Sequence, residues 1–189
     1  MATGIIVAAV IVFGIIAFIA FFAVSVYNRL IRGRSVVEEA FANMDVYLKK
    51  RTDLIPNLVE TVKAYAKHES AALENVIRAR SSISSAGSDQ ERFVNENTLS
   101  GTLKSLFAVA ESYPQLKADS QFMNLQMQLQ SVEHEIASAR KGYNDCVKHY
   151  NISVESFPNV LLSGILGFPR RVMFEITDPA EREAVKVSF

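Results

Sequence analysis

The sequence is poor in the residues that usually build disulfide frameworks and metal centres. It has one cysteine, Cys146, and three histidines in 189 residues. An intramolecular disulfide framework and a cysteine-based zinc site are therefore excluded. The twenty basic and twenty acidic residues cancel, so the chain lacks the one-sign field of a nucleic-acid-binding protein. No repeat of about 20 to 50 residues is present either.

Charge is missing altogether from the first part of the chain. Residues 5–26 contain no charged residue, and the first charge is Arg29. As a helix this run would reach about 33 Å, which is enough to cross the hydrocarbon core of a bilayer. We therefore predict one transmembrane helix. Its representative residues are Ile5, Phe13, Gly14, Phe18, Phe22 and Val26.

A cleaved signal peptide is the competing interpretation of this run. Such peptides carry positive charge before a shorter apolar stretch and a small-residue cleavage site after it. Here the basic residues Arg29, Arg32 and Arg34 follow the run instead. We therefore expect an uncleaved anchor, and the positive-inside bias places the rest of the chain in the cytoplasm.

Helical spacing of apolar residues continues beyond the anchor, from Val37 to Leu48. Pro56 interrupts the pattern, because proline lacks an N–H donor and its ring clashes with the preceding turn. We expect a new helix with Asp53 as N-cap and Pro56 in its first turn, continuing to about Ser81.

Two further boundaries follow from composition. The serine-rich stretch 81–88 predicts a loop, and a third helix is expected to stop at Pro114.

The clearest helical pattern begins after Asp119. Apolar residues then recur in alternating steps of three and four, which is typical of a coiled-coil seam. The seam comprises Phe122, Leu125, Leu129, Val132, Ile136, Ala139, Tyr143, Cys146 and Tyr150. A helix of nearly 40 residues would be about 58 Å long, so it must pack along long partners from the same chain or a neighbouring one.

The character changes after Pro158. Residues 160–168 are apolar but too short to span a membrane, and strand-like runs follow at 172–176 and 185–189. Since an isolated hairpin is marginal in water, these runs either pair with a neighbouring subunit or form a weakly ordered tail. The residues expected at oligomer contacts are Leu162, Ile165, Phe168, Phe174, Val185, Val187 and Phe189.

Several polar residues lie near the predicted core. Arg51 continues an apolar stripe, where a buried charge would need a partner. Tyr143-Asn144 and Tyr150-Asn151 repeat one heptad apart beside the seam. We hypothesise a polar layer that sets helix register, with capping and solvated faces as the alternative. Its members would be Asp45, Arg51, Asp53, Asn57, Arg140, Asn144 and Asn151.

The sequence offers no catalytic constellation. His68-Glu69 lacks the second histidine of a zincin helix. Glu133, His134 and Glu135 are consecutive, so on a helix they point to different sides. Cys146 lies in the seam, where cysteine behaves as a small apolar residue. We expect no catalytic residue, metal or cofactor.

Several segments resemble the LemA family. The match is strongest at Asp53–Lys63 (Asp-Leu-Ile-Pro-Asn-Leu-Val-Glu-Thr-Val-Lys), at Ala110–Ala118, and at Tyr143-Asn144, Phe157-Pro158 and Gly167-Phe168. The resemblance implies a bacterial membrane-anchored helical bundle with a short exterior N-terminus and no agreed biochemical activity. One branch of the family is associated with magnetosome membranes. The expected location is the bacterial cytoplasmic (inner) membrane, with a single pass and the C-terminal domain in the cytoplasm.

Together these observations predict an all-α fold. We expect an exterior N-terminus at 1–4, a transmembrane helix at 5–27, a basic linker at 28–35, a long antiparallel bundle at 36–158 and a β-like tail at 159–189. The function expected is a self-associating scaffold that organises or shapes membrane, with lipid and further copies as partners and no nucleic acid. The alternatives are a tethered adaptor that binds another membrane or cytoplasmic protein, for signalling or quality control, and thirdly an enzyme.

Overall fold

The computed structural model describes residues 2–66 and 69–175, which form six helices and contain no strand. The helices are α1 (Ala2–Tyr65), α2 (Ser70–Ser84), α3 (Asp89–Ala110), α4 (Pro114–Lys117), α5 (Ser120–Glu155) and α6 (Val160–Ser163). The prediction of an all-α fold is confirmed over these residues. The predicted β-like tail is not supported, since residues 172–175 form no strand and 185–189 lie outside the described residues.

Helix α1 is 64 residues long. Of the helices in the described part of the chain, it is the one long and apolar enough to cross a membrane. Phe13 and Phe18 in its first part are largely exposed, as expected of side chains that would face lipid. The expected basic linker at 28–35 is helical and continues α1 without a break.

Pro56 lies inside α1, so the predicted helix start at Asp53 is wrong. The structure shows how the proline is accommodated. Pro56 cannot donate to the carbonyl oxygen of Thr52, four residues earlier. Arg80 on α2 donates its Nε–H to that oxygen at 3.2 Å. A neighbouring helix thus replaces the hydrogen bond that the proline removes.

The single helix expected to run from Asp53 to about Ser81 is instead divided between two helices. α1 ends at Tyr65 and α2 begins at Ser70. The predicted serine-rich loop is limited to residues 85–88, because α2 includes Ser84. Ser88 caps α3 by accepting a hydrogen bond from the Glu91 N–H at 3.2 Å. α3 ends at Ala110, before Pro114 as predicted.

Helix α5 starts after Asp119 and is 36 residues long, as the heptad pattern indicates. Asp119 Oδ1 accepts hydrogen bonds from the N–H groups of Gln121 and Phe122 at 2.8 and 2.9 Å. The Phe122 N–H, and next the Tyr65 hydroxyl, lower the pKa of Asp119, which keeps this capping carboxylate ionised. Along the predicted seam every residue is buried except Ala139 and Cys146, which are half-buried.

The contacts divide the chain into two compact units. Unit 1 comprises residues 1–40 and 145–171, and unit 2 comprises 41–144 and 172–189. The buried apolar residues of unit 1 are Val26, Leu30, Val37, Val147, Tyr150, Val154 and Phe168. The core of unit 2 draws on α1 to α5 and includes Leu58, Val62, Val76, Leu99, Leu106, Leu116, Phe122 and Leu129.

Candidate functional site

A buried charge cluster lies in unit 2. The Arg51 side chain on α1 is 0 % exposed. Its Nη2 donates to Glu96 Oε2 at 2.5 Å, and its Nη1 donates to Glu133 Oε1 and Ser100 Oγ, both at 2.6 Å. Glu96 and Ser100 belong to α3 and Glu133 to α5. One guanidinium therefore connects three helices.

The electrostatics of the cluster are set by burial. Glu96 is 1 % exposed, and burial raises the pKa of its carboxyl, while the Arg51 guanidinium opposes that shift. Glu133 is more accessible, with 36 % of its side chain exposed. Both terminal nitrogens of Arg51 are engaged by internal partners, whereas its buried Nε has no hydrogen-bond partner among the described residues. The closed Arg51–Glu96 pair therefore connects helices, and Glu133 is the accessible carboxylate of the cluster.

Beside this cluster in unit 2 lies a set of aromatic contacts centred on Phe174. Its ring stacks on Phe93 with a centroid distance of 4.3 Å and an interplanar angle of 9°. The Arg140 guanidinium lies 4.1 Å from the Phe174 centroid. Two groups at such distances cannot share one face of a ring, so Phe174 lies between them. Phe93 also meets Tyr143 and Phe41 edge-on or tilted.

In unit 2, α5 also binds the backbone next to Phe174. Asn144 accepts the Phe174 N–H at 2.8 Å and donates to the Phe174 carbonyl oxygen at 3.0 Å. The Tyr143 hydroxyl donates to the Val172 carbonyl oxygen at 2.8 Å. The amide of Asn144 thus makes the two hydrogen bonds that a residue of an adjacent antiparallel strand would make.

The same pair of contacts occurs in unit 1. Asn151 accepts the Arg171 N–H and donates to the Arg171 carbonyl oxygen, both at 2.9 Å. The Tyr150 hydroxyl donates to the Pro169 carbonyl oxygen at 3.1 Å. Burial raises the pKa of Tyr150, so this hydroxyl keeps the proton that it donates.

These contacts account for both pairs of the Tyr-Asn repeat. The two Tyr-Asn pairs are seven residues apart on α5, and the backbone residues they bind are three apart. Each unit therefore contains one Tyr-Asn pair that binds the backbone of the C-terminal segment. These contacts explain why residues 172–175 need no strand partner.

A groove of about 470 Å³ opens between α3 and α5 in unit 2. Leu103, Phe107 and Leu129 form its apolar part. Polar side chains surround them: Ser100, Lys104, Gln126, Gln130, Glu133 and His134. One turn before Ser100 on α3, Asn97 donates to the carbonyl oxygen of Glu175 at 2.8 Å. Glu175, the last described residue of the chain, therefore contacts α3 at a position next to this groove.

The residues of the hypothesised polar layer have different surroundings. Arg51 lies in the charge cluster, and Arg140 contacts Phe174. Asp45 is paired with Arg92 on α3, whereas Asp53 pairs with Lys49 on the surface at 3.1 Å. Asn57 is exposed. Asn144 and Asn151 bind backbone of the segment 171–174 and not a neighbouring helix.

The expected oligomer contacts also differ in their surroundings. Phe168 and Phe174 are buried within units 1 and 2 respectively, and are covered by their own chain. Leu162 is half-buried and Ile165 is exposed. Val185, Val187 and Phe189 lie outside the described residues.

The residues singled out at the anchor all lie on α1. Ile5, Phe13 and Phe18 are exposed, Phe22 is half-buried and Val26 is buried in unit 1. The juxtamembrane arginines then follow. Arg29 and Arg32 are exposed, and Arg34 forms an ion pair with Glu38 at 3.6 Å.

The sequence interpretation missed both carboxylate partners of Arg51. A signal for Glu96 was present, because it lies on the apolar stripe of α3 between Phe93 and Leu99, as Arg51 does on its own stripe. Glu133 carries no such signal, since it lies beside the seam among other polar residues.

Among the described residues, no group of three or more His, Cys, Asp or Glu side chains is placed to hold a metal ion. His134 lines the groove, His149 is exposed, and His68 lies outside the described residues.

Comparison with known proteins gives consistent results. The model of the LemA family matches residues 40–189. Two relatives from Paramagnetospirillum magneticum, magnetosome proteins MamQ 2 and MamQ 1, are each 24% identical over 190 aligned positions, covering 87% of this chain and 70% of theirs. The protein LemA of Metamycoplasma hominis is 24% identical over 134 positions, covering 69% of this chain and 60% of its own.

Proposed function

Because this chain belongs to the LemA family, we propose that it is a membrane-anchored helical scaffold that associates with further copies of itself and organises the membrane around it. The anchor is the apolar first part of α1, in the cytoplasmic membrane of a bacterium. The C-terminal residues 176–189 of one copy occupy the α3/α5 groove of the next.

The observation that carries this proposal is the position of Glu175 next to the α3/α5 groove. Asn97 binds the Glu175 carbonyl oxygen one turn before Ser100, which lines the groove. Glu175 therefore lies next to a groove lined by the half-buried Phe107 and by the buried core residues Leu103 and Leu129.

The sequence of the C-terminal residues fits such a surface. Val185, Val187 and Phe189 alternate with Lys186 and Ser188, which gives an extended segment one apolar face. We propose that the same groove on a neighbouring copy receives it, as in other cases where an extended peptide docks on a folded domain. Since each copy has its own anchor, many weak contacts in one bilayer would add up through avidity.

A binding role suits the polar residues better than a catalytic one. The ionisable groups with the least solvent contact, Arg51 and Glu96, are engaged with each other. Tyr143, Asn144, Tyr150 and Asn151 use their polar atoms on the backbone of the segment 169–174. Two relatives named as magnetosome proteins support a role at a membrane.

The test is the particle mass in mild detergent, measured by light scattering coupled to size exclusion. We expect the full chain to form a discrete assembly, and a version ending at Glu175 to dissociate. This truncation keeps the buried Phe168 and Phe174, so it leaves both cores intact. A Gln130→Trp substitution fills the groove from an exposed position, and it should reduce the assembly as well.

Gln128→Trp is the matched control, because Gln128 is exposed on the same helix but does not line the groove. It should leave the particle mass unchanged. A full chain that is monomeric in these conditions, or an assembly that persists without residues 176–189, would overturn the proposal. A monomer would instead favour the adaptor, with the groove open to another protein.

A further inference from the structure

We infer that residues 156–169, called here the apolar turn, form a second membrane-contacting element that seats in the interface of the bilayer beside α1. This inference rests on the proposed membrane anchor. It adds a second point of attachment, which would hold the first part of the cytoplasmic helices against the lipid surface.

The composition and exposure of the apolar turn support this assignment. It contains no charged residue between Glu155 and Arg170. Ile165 is 83 % exposed, Phe157 80 %, Leu161 63 % and Val160 47 %. Such a concentration of large apolar side chains in water marks an interaction surface and not ordinary exposure.

The apolar turn has a folded backbone, as an interfacial element needs. The Phe168 N–H donates to the Ser163 carbonyl oxygen at 2.9 Å, and the Leu166 N–H donates to that of Leu162 at 2.8 Å. Gly167 has φ 73°, which permits the reversal after α6 at no steric cost. Because backbone groups that lack partners are costly away from water, these internal bonds favour insertion of the side chains.

The position of the apolar turn within unit 1 is the main argument for lipid as the occupant. Phe168, at its end, packs against Tyr27 with a centroid distance of 5.6 Å. Tyr27 directly follows Val26, the last aliphatic residue before Arg29, and Val26 is 3 % exposed. The turn therefore lies beside the point where α1 leaves the hydrocarbon core.

Two arginine side chains, Arg34 and Arg170, lie close to Phe168 at the end of the apolar turn. The Arg34 guanidinium lies 5.5 Å from the Phe168 ring centroid. Arg170 directly follows the turn; its side chain is 66 % exposed and pairs with Glu155 at 3.0 Å. Apolar side chains next to arginines suit an anionic bilayer surface, because the apolar groups can contact acyl chains while the arginines lie at the level of the phosphates. This favours lipid over a second copy of the chain.

The absence of tryptophan from the sequence provides a direct test, because one introduced tryptophan is the sole indole reporter. The full chain carrying Ile165→Trp is reconstituted into vesicles of phosphatidylcholine and phosphatidylglycerol, with or without brominated acyl chains. Phe13→Trp reports on the anchor itself, and Met127→Trp, at a site 58 % exposed in unit 2, reports on a water-facing helix.

We expect emission from the Ile165→Trp variant to shift to the blue and to lose most of its intensity to lipids brominated near the headgroup end of the acyl chain. The Met127→Trp variant should respond to aqueous iodide instead. If the Phe13→Trp variant is quenched by brominated lipid and the Ile165→Trp variant is not, the inference fails and the anchor stands. A blue shift without lipid quenching would mean that protein covers the turn, which also overturns the inference. No lipid quenching of the Phe13→Trp variant would overturn the anchor and, with it, this inference.

Discussion

Arg51 carries a charge at a position without solvent contact, and its partners come from two other helices. Moving an ion from water into a protein interior costs several kcal/mol per ion even after relaxation, so about this much must be regained from the partners. Short charge-assisted hydrogen bonds from Arg51 to Glu96 and Glu133 offset this desolvation cost. The cluster is therefore sensitive to the loss of one member and much less sensitive to joint replacement.

We expect Arg51→Met to lower the free energy of unfolding by about 3–5 kcal/mol, because the buried Glu96 carboxylate then loses its hydrogen-bonded cation and keeps only Arg92, 3.9 Å away. The double variant Arg51→Met, Glu96→Leu should recover most of the loss. Urea unfolding of the full chain in detergent, followed by circular dichroism at neutral pH, measures both. Lys50→Met, at the exposed neighbouring position, is the control. An equal loss in single and double variants would contradict this account.

At the residue scale, the sequence identified polar side chains that lie near the core, but it did not identify the groups that they bind. The position of Arg51 on an apolar stripe indicated a buried charge, and the Tyr-Asn repeat indicated polar groups beside the seam. The partners of Asn144 and Asn151 are backbone atoms of Phe174 and Arg171. Any residue type supplies such atoms, so no sequence pattern could reveal them.

At the scale of elements, helix α1 shows that a local rule can be overridden by a neighbouring helix. Pro56 predicts a helix boundary when the chain is considered alone, because the Thr52 carbonyl oxygen loses its donor. The Arg80 guanidinium supplies a donor to that oxygen from α2. The heptad pattern of α5 had no such conflict, and both the start of that helix and its buried face were predicted.

The compensation of Pro56 by Arg80 can be measured as a coupling free energy between substitutions at the two positions. Arg80→Ala should cost about 1 kcal/mol in the natural background, since one hydrogen bond to a backbone oxygen is lost. In a Pro56→Ala background the helix makes its own bond to Thr52, and Arg80→Ala should cost little. A thermodynamic cycle of the four variants, from urea unfolding, gives the coupling free energy. Arg78→Ala, also exposed on α2, controls for the loss of a charge. A coupling near zero would mean that Arg80 does not compensate for the proline.

On the scale of the whole molecule, the sequence predicted an anchor followed by a helical bundle, whereas its predicted strand at residues 172–176 is not supported over the described residues 172–175. The strand-like composition of residues 172–176 suggested a strand. Phe174, at the centre of this run, serves another purpose, since it packs between Phe93 and Arg140. Alternation shows that one side of a segment is buried, and it does not show whether a strand or a helix covers that side.

We predict the orientation in the membrane from the charge at one end of the anchor. No charged residue precedes the apolar run, and Arg29, Arg32 and Arg34 follow it within two turns of α1. Positive residues this close to a span stay on the cytoplasmic side. We therefore expect Met127→Cys to react with an impermeant maleimide only after bacterial cells expressing the chain are permeabilised, and Thr3→Cys to react in intact cells. Both variants carry Cys146→Ala, which removes the natural thiol.

Neutralising the three arginines should then produce a mixed orientation, because the next Lys or Arg along the chain is Lys49, more than 20 residues beyond Val26. The variant Arg29→Gln, Arg32→Gln, Arg34→Gln is expected to make a fraction of the Met127→Cys chains reactive in intact cells. The matched control Lys49→Gln, Lys50→Gln, Arg78→Gln removes the same charge beyond the roughly 15–20 residues over which flanking charges act. It should leave the orientation unchanged. Reaction of Met127→Cys in intact cells with all arginines present would mean that the bundle lies outside, and the positive-inside argument would then be wrong for this chain.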